Sequence, residues 1–364
     1  MTLSSLFRPI SYDELPGWSR DDAAEAFTAF RRCAVHAAEK PYRTGALGVA
    51  FEAFDEAYRE ARGLGVLDTA GARAFFERHF RPCRIAEDGF VTGFYEPIVD
   101  ASPVRTGLCR VPLLAPPADL VPLDDDNRPA DLDPYLAFGR RTGRGIVEYF
   151  DRPAIETGVL GESARAIAWL DDPVDAFFIH VQGSARLRFP DGRTQRVTYA
   201  AKSGQRFTGA GKILVELGEI PAKDVTMQSI RAWFRANPSR IDEILRQNRS
   251  YIFFAEAPVE DPELGPIAAA KVPLAPGRSI AVDRLLHTFG TPFYVDAPAL
   301  GAFGGDAFRR LMIAQDTGSA IVGPARGDLF AGSGDAAGDI AGVVKHAAVF
   351  HALVPRSLLG GARR

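Results

Sequence analysis

The chain has 364 residues, 46% of them hydrophobic and 24% charged, with 43 basic against 46 acidic side chains. That length holds two domains with sizeable cores, and the composition excludes a disordered, collagen-like or membrane-embedded chain. A net charge of -3 argues against a nucleic-acid binder that neutralises a phosphate backbone. Cys33, Cys83 and Cys109 are too few and too scattered for a disulfide framework or a thiolate metal site.

The first ten residues lack a basic region followed by an apolar stretch, and no nearby cysteine offers a lipid attachment point. Ser19 with Asp22 resembles a capping box, and Ala23, Phe27, Phe30, Ala34 and Ala37 then recur at helical spacing. Further helices are expected over 45–62, with Phe51, Phe54 and Tyr58 on one face, and over 68–80. These helices are expected to pack as a lid or collar, their aromatic stripes serving as core.

From Phe90 the period changes to strand, and 90–97 ends at Pro97, which favours a sheet edge or exit. The proline-rich stretch 102–151 holds Asp124-Asp125-Asp126-Asn127. It lacks the glycine and distal glutamate of a calcium loop and reads as a solvated turn. Residues 177–186, with His180, read as a strand, and 187–200 as a hairpin about Pro190-Asp191-Gly192. A polar glycine-rich loop at 202–211 precedes helices expected over 222–236, stopped by Asn237-Pro238, and over 240–247. The last third alternates short apolar strands with Gly/Pro turns. Thirty-five glycines, 26 prolines and 25 phenylalanines suit such a chain of short strands.

The six histidines have no metal-ligand spacing, and no metal or other cofactor is expected. Gly209-Ala-Gly-Lys212 fails as a phosphate loop, because Ile213 stands where Ser or Thr holds magnesium. No Gly-x-Ser-x-Gly elbow supports acyl transfer. Asp283, Asp316 and Asp328, each beside apolar strand residues, are more informative. Desolvation there raises a carboxyl's pKa and suits a general acid. Asp316-Thr-Gly-Ser also invites an aspartic-protease reading, but that chemistry needs two such aspartates and the chain has one copy.

The segments Val91-Thr-Gly-Phe-Tyr-Glu-Pro97, His180-Val-Gln-Gly-Ser-Ala-Arg186, Ala201-Lys-Ser-Gly204, Asn248 to Phe254 and Gln315-Asp-Thr-Gly-Ser-Ala-Ile321 through Phe330 together resemble the MltA family of lytic murein transglycosylases, over about 90–350 and in the family's order. One departure is Ala185, where glycine is more frequent. The resemblance implies a mainly β fold with N-terminal helices: a double-psi β-barrel from 1–103 plus 249–364, interrupted by a smaller inserted β domain at 104–248. It implies that Asp328 is the catalytic acid, that Asp316 and Asp283 support it, and that Tyr95, Glu96, Gln182, Gly183, Lys202 and Ser203 contact a glycan. It implies peptidoglycan strands as partner, no cofactor, and a place in the periplasm or at the outer membrane. The competing class is a non-catalytic glycan-binding barrel, since expansin-like proteins share the barrel-with-aspartate pattern.

Overall fold

The computed structural model describes residues 2–359; Met1 and 360–364, the outermost ends of the expected barrel domain, lie outside the described residues. The chain is mainly β with helices and divides into two units, an outer one from both chain ends, up to Tyr95 and from Asp261, and an inner one, Glu96–Glu260.

The outer unit begins with β1 (Phe7–Pro9), α1 (Ala23–Glu39), α2 (Asp55–Gly63), α3 (Thr69–His79), β2 (Phe80–Ile85) and β3 (Gly89–Glu96, whose last residue belongs to the inner unit). Asp22, not Ser19, caps α1: its carboxylate accepts from the Ala24 N–H at 3.1 Å, while Ser19 lies in a 3-10 turn. The helix expected from Gly45 starts only with a 3-10 turn at Phe51–Phe54 followed by α2. Residues 45–47 bond across to another segment instead, and Gly45 permits the close approach, since a Cβ there would come within 2.3 Å of the Leu286 carbonyl oxygen. The strap is held to 285–288 by the Ala46 and Leu47 N–H groups and by Gly45 N–H donating to Thr288 Oγ1. Phe27, Phe30, Phe54, Tyr58, Phe75 and Phe76 are buried in the same core as Phe293, Tyr294 and Leu311, so the helices share the sheet's core rather than forming a separate collar.

The inner unit carries β4 (Ile98–Asp100), β5 (Val111–Leu114), β6 (Leu120–Pro122), β7 (Phe138–Thr142), β8 (Gly145–Val147), α4 (Arg152–Glu156), β9 (Ala166–Leu170), α5 (Pro173–Gln182), β10 (Ser184–Arg188), β11 (Thr194–Lys202), α6 (Ala210–Glu216), α7 (Met227–Ala236), α8 (Ile241–Leu245) and β12 (Ile252–Ala257). Its central sheet runs β12-β11-β10-β4. Pairing of β4 with β10 and of β12 with β11 draws 96–103 and 249–260 into this unit, which is therefore longer at both ends than the sequence reading placed it. The strand expected over 177–186 is mostly helix. Asp172 caps α5 through the Val174 N–H at 2.7 Å, Pro173 opens it, and Gly183 at φ 79° closes it. The acidic run at 124–127 is a solvated turn in which Asp124 Oδ1 accepts from the Asp126 and Asn127 N–H groups.

The chain returns to the outer unit with β13 (Ser279–Val282), β14 (Pro292–Ala297), β15 (Phe308–Asp316), β16 (Arg326–Ser333), α9 (Asp335–Gly342) and β17 (Lys345–Pro355). The order β17-β14-β15-β13-β16-β3 closes on itself, because the first half of β17 pairs with β3; β2 and β1 extend the sheet from the other half. Strand β13 lies parallel to β15 and antiparallel to β16. An ion pair ties α1 to this ring: Arg278 Nη1 donates to both oxygens of Asp21, at 2.8 and 3.0 Å, and the Leu311 N–H donates to Asp21 Oδ2 at 2.7 Å. Both side chains are buried, and the other carboxylate on Arg278 is the largely exposed Glu25 at 3.1 Å, so removing Asp21 leaves the buried guanidinium with only that solvent-screened partner. Asp21→Ala is expected to cost about 3 to 5 kcal/mol in denaturant unfolding of the full chain.

Candidate active site

Two acids expected from sequence meet across one short strand. Ala281 of β13 is the register partner of Asp316 on β15 and of Asp328 on β16. Partners in register point to one face of a sheet, so the two carboxylates flank Ala281 with their Cα atoms about 10 Å apart, two strand spacings. The registry depends on a β-bulge. Ile280 pairs with Ala314 and Ala281 with Asp316, so Gln315 is the extra residue. Without it, Gln315 would stand opposite Ala281.

The bulge is held by its own hydrogen bonds. Gln315 Nε2 donates to the Ala29 carbonyl of α1 at 2.9 Å and to Cys33 Sγ at 3.2 Å, and its Oε1 accepts from the Ser279 hydroxyl. Its carbonyl accepts from the Ala270 N–H at 3.0 Å, and the adjacent Ala269 N–H donates to Asp316 Oδ1 at 3.2 Å. The turn that delivers this donor carries Lys271 at φ 61°, a left-handed conformation that strains a non-glycine residue.

The surroundings of both carboxyls are apolar. Phe94, Leu274, Ala281, Ile321 and Phe330 form one buried cluster, and each aspartate is itself half-buried. Burial pushes Asp316 up to about 6; the Thr317 and Ala269 N–H groups oppose the rise and the Asp328 charge adds to it. Because folding raises this pKa, Asp316 stabilises the fold as the protonated acid, and that contribution is lost as pH rises from the usual carboxylate range through about 6.

Burial also raises Asp328, against the pull of two partners. The Thr92 hydroxyl of β3 lies 2.5 Å from its Oδ1, and Arg326 Nη2 lies 2.7 Å from that hydroxyl. Arg326 shares a strand face with Asp328 two residues away, and its guanidinium stands 5.5 Å from the Phe90 ring centroid. Sequence reasoning passed over both partners, although Thr92 lies inside a motif it singled out and the i, i+2 spacing of Arg326 marks it as a neighbour.

The third acid is placed differently. Asp283 Oδ1 accepts from the Leu285 N–H and Oδ2 from the Gly323 N–H, both at 3.0 Å, so its carboxylate clamps the turn after β13 to the loop before β16. Tyr95 is buried with its ring against Gly338 of α9, where a Cβ would approach to 2.9 Å.

The remaining expected residues belong to the inner unit, and two are sequestered there. Glu96 is wholly buried. Its Oε2 accepts from Arg186 Nε at 2.6 Å and from Arg196 Nη2 at 3.1 Å, and its Oε1 accepts from Arg196 Nε. Arg186 and Arg196 are direct cross-strand partners, and the glutamate between them offsets a like-charge pair. A glycan contact is therefore corrected to an internal ion pair. Ser203 is equally buried and accepts the Tyr251 N–H at 3.1 Å, so its expected glycan contact is corrected to a strand pin.

Gln182, Gly183 and Lys202 lie toward the surface. Gly183 accepts from the Tyr199 N–H at 2.7 Å, and a bulge between Tyr199 and Ala201 leaves Tyr199 exposed and Lys202 half-buried, its Nζ 5.8 Å from the Tyr135 ring centroid. His180, on α5, accepts the Ile252 N–H at 3.1 Å and lies 3.2 Å from Arg152; burial, then the Arg152 charge, holds its pKa well below the ordinary value. Among the described residues no group of His, Cys, Asp and Glu side chains is arranged to hold a metal ion.

Residues 90–255 match the MltA specific insert domain and residues 278–354 the 3D domain. The membrane-bound lytic murein transglycosylase from Agrobacterium tumefaciens is 47% identical, with a TM-score of 0.93 over 98% of this chain and 99% of that one. MltA from Neisseria gonorrhoeae in its monoclinic form is 31% identical, with a TM-score of 0.78 over 96% and 92%. Membrane-bound lytic murein transglycosylase A of Escherichia coli (strain K12) is 31% identical over 263 residues, 70% of this chain and 62% of that protein. The chain thus spans less than two thirds of that curated relative's length.

Replacing Gln315 by Leu fills its space without its bonds to Ala29, Cys33 and Ser279. The bulge is expected to relax, and the Asp316 titration midpoint to fall from about 6 toward the usual carboxylate range, as read by carboxyl-carbon NMR.

Proposed function

The chain belongs to the MltA family, and on that premise we propose that it is a lytic transglycosylase. It cleaves the β-1,4 bond between N-acetylmuramic acid and N-acetylglucosamine in peptidoglycan and forms 1,6-anhydromuramic acid. The observation that carries this reading is Asp328, a half-buried carboxyl pushed up by desolvation yet bonded by a hydroxyl suited to its ionised form.

Neutral Asp328 donates its proton to the glycosidic oxygen as the C1–O4 bond breaks and its electron pair goes to O4. The anomeric centre becomes oxocarbenium-like. The same carboxyl, now charged, takes the proton of the muramic acid C6 hydroxyl as O6 bonds to C1. No water is consumed and the acid is regenerated. Ordinary glycosidases use a second carboxylate to deliver water or attack the sugar; here the substrate supplies the nucleophile, with the orientation advantage of an intramolecular reaction. Asp316, beyond Ala281, steadies positive charge at the sugar when ionised. Asp283 supports the site indirectly by fixing its loops. We assign the closed outer ring to the double-psi β-barrel class and Gln182, Gly183 and Lys202 to glycan contact; Tyr95, buried against Gly338, is corrected from glycan contact to packing of β3 on α9. We assign it to the cell envelope, a reading supported by the proposed substrate and by the membrane-bound relatives. Among the described residues no helix is long and apolar enough to cross a membrane.

Digestion of purified murein sacculi followed by mass analysis of the muropeptides tests the reaction. Anhydro products, lighter by one water than hydrolysed ones, are expected; reducing-end products alone, or no cleavage as for a glycan-binding barrel, would sink it. Asp328→Asn is expected to lower the rate by about 10²- to 10⁴-fold, and full activity in that variant would remove Asp328 from the role.

A further inference from the structure

Thr92 has one hydroxyl hydrogen, and its two partners, Arg326 and Asp328, decide where it points. A guanidinium donates and never accepts, so at 2.7 Å the Thr92 oxygen must accept from Arg326 Nη2. The other partner of that hydroxyl is Asp328 Oδ1, at a separation usual for a hydroxyl donating to a carboxylate. Among the described residues Oδ1 is the acceptor offered to the hydroxyl hydrogen, which is therefore directed at it. A carboxyl proton on the same oxygen would point at it head-on.

We infer that Arg326 fixes the Thr92 hydroxyl as a donor to Oδ1 of Asp328, so that Oδ2 alone carries the proton exchanged with substrate and Thr92 is the positioning residue of the site. This rests on the reading of Asp328 as the acid and adds to it which oxygen works and what holds it. Both proton transfers of the cycle, from carboxyl to glycosidic oxygen and from the C6 hydroxyl back to carboxylate, then pass through Oδ2 without rotation of the side chain.

The arrangement also matches two conflicting requirements. Desolvation by burial favours the neutral acid, while the Thr92 donor and the Arg326 charge favour the carboxylate. One group that must be acid and then base needs neither influence to run away. The other charged groups near this pair are Asp316, across Ala281, and Lys345, which stands opposite Thr92 on β17; His346 follows it opposite Val91. They are common to all the variants below.

Thr92→Val keeps the shape of the side chain and removes the donor; Thr92→Ser keeps the donor. With intact sacculi as substrate, Thr92→Val is expected to lower kcat about 10- to 100-fold, to leave KM within about twofold, and to move the alkaline limb of the pH–rate profile up by about one pH unit. Thr92→Ser is expected to restore both. The Asp328 carboxyl-carbon titration in the full-length protein is expected to shift upward in Thr92→Val and to return in Thr92→Ser. That titration needs no turnover, so it separates the two ideas. An unshifted midpoint in Thr92→Val overturns the positioning role even where the wild type makes anhydro products. A shifted midpoint upholds the hydrogen-bond assignment even where cleavage fails. A Thr92→Val profile that overlays the wild type, or a Thr92→Ser variant as impaired as Thr92→Val, also overturns it.

Discussion

The register of β13 between β15 and β16 is the constraint on which the rest of this structure depends. Ala281 meets Asp316 on one side and Asp328 on the other only because β15 carries one extra residue, Gln315, just before Asp316. Side chains alternate along a strand, so a regular ladder that took Gln315 in would set it opposite Ala281 and turn Asp316 to the other face. The small Ala281 side chain leaves room between the acids and is buried in one cluster with Phe94 and Phe330. Gln315 cannot hold the bulge alone. Its amide is fully bonded only because α1 brings Ala29 and Cys33 against it, and α1 is fixed to the ring by the Asp21–Arg278 pair. The N-terminal helices therefore belong to the site's support, through a chain of named contacts.

Two acids that look alike in sequence are given different partners by the fold. Glu96 and Asp328 are both acids beside apolar strand residues. Glu96 is enclosed by two arginines that satisfy both oxygens, whereas Asp328 has one hydroxyl donor and a more distant cation, so desolvation prevails there. The first arrangement holds the inner sheet together. The second leaves a carboxyl poised between its two protonation states, which suits a reaction in which one group gives and then recovers a proton.

Much of this was legible in the sequence where the signal is local. Asp68, Asn237-Pro238 and Pro190-Asp191-Gly192 marked a helix start, a helix stop and a hairpin turn. The segment 177–186 misled because Phe177, Ile179 and Val181 alternate like a strand. The capping residues Asp172-Pro173 and Gly183 outweigh that pattern once the helix buries its faces against two clusters. Glu96 and Ser203 were drawn toward a ligand because they lie in motif segments, yet motif membership does not distinguish a side chain that touches substrate from one that holds the strand beneath it. The bulge at Gln315 has no sequence signature of its own, since it arises from α1, some 285 residues earlier in the chain. Thr92 was passed over for a related reason: its meaning lies in meeting Asp328 and Arg326 across a strand pair, more than two hundred positions away, whereas Arg326, two residues from Asp328, had a local signal that went unread.

The most direct test of the account is the titration of the Asp328 carboxyl carbon in the unmutated full-length protein. Its midpoint is expected above the usual carboxylate range, with Asp316 titrating near 6 and the two transitions sensing one another. A midpoint for Asp328 at or below the range of an exposed aspartate would contradict it, because the group would then be ionised and unable to protonate a glycosidic oxygen near neutral pH.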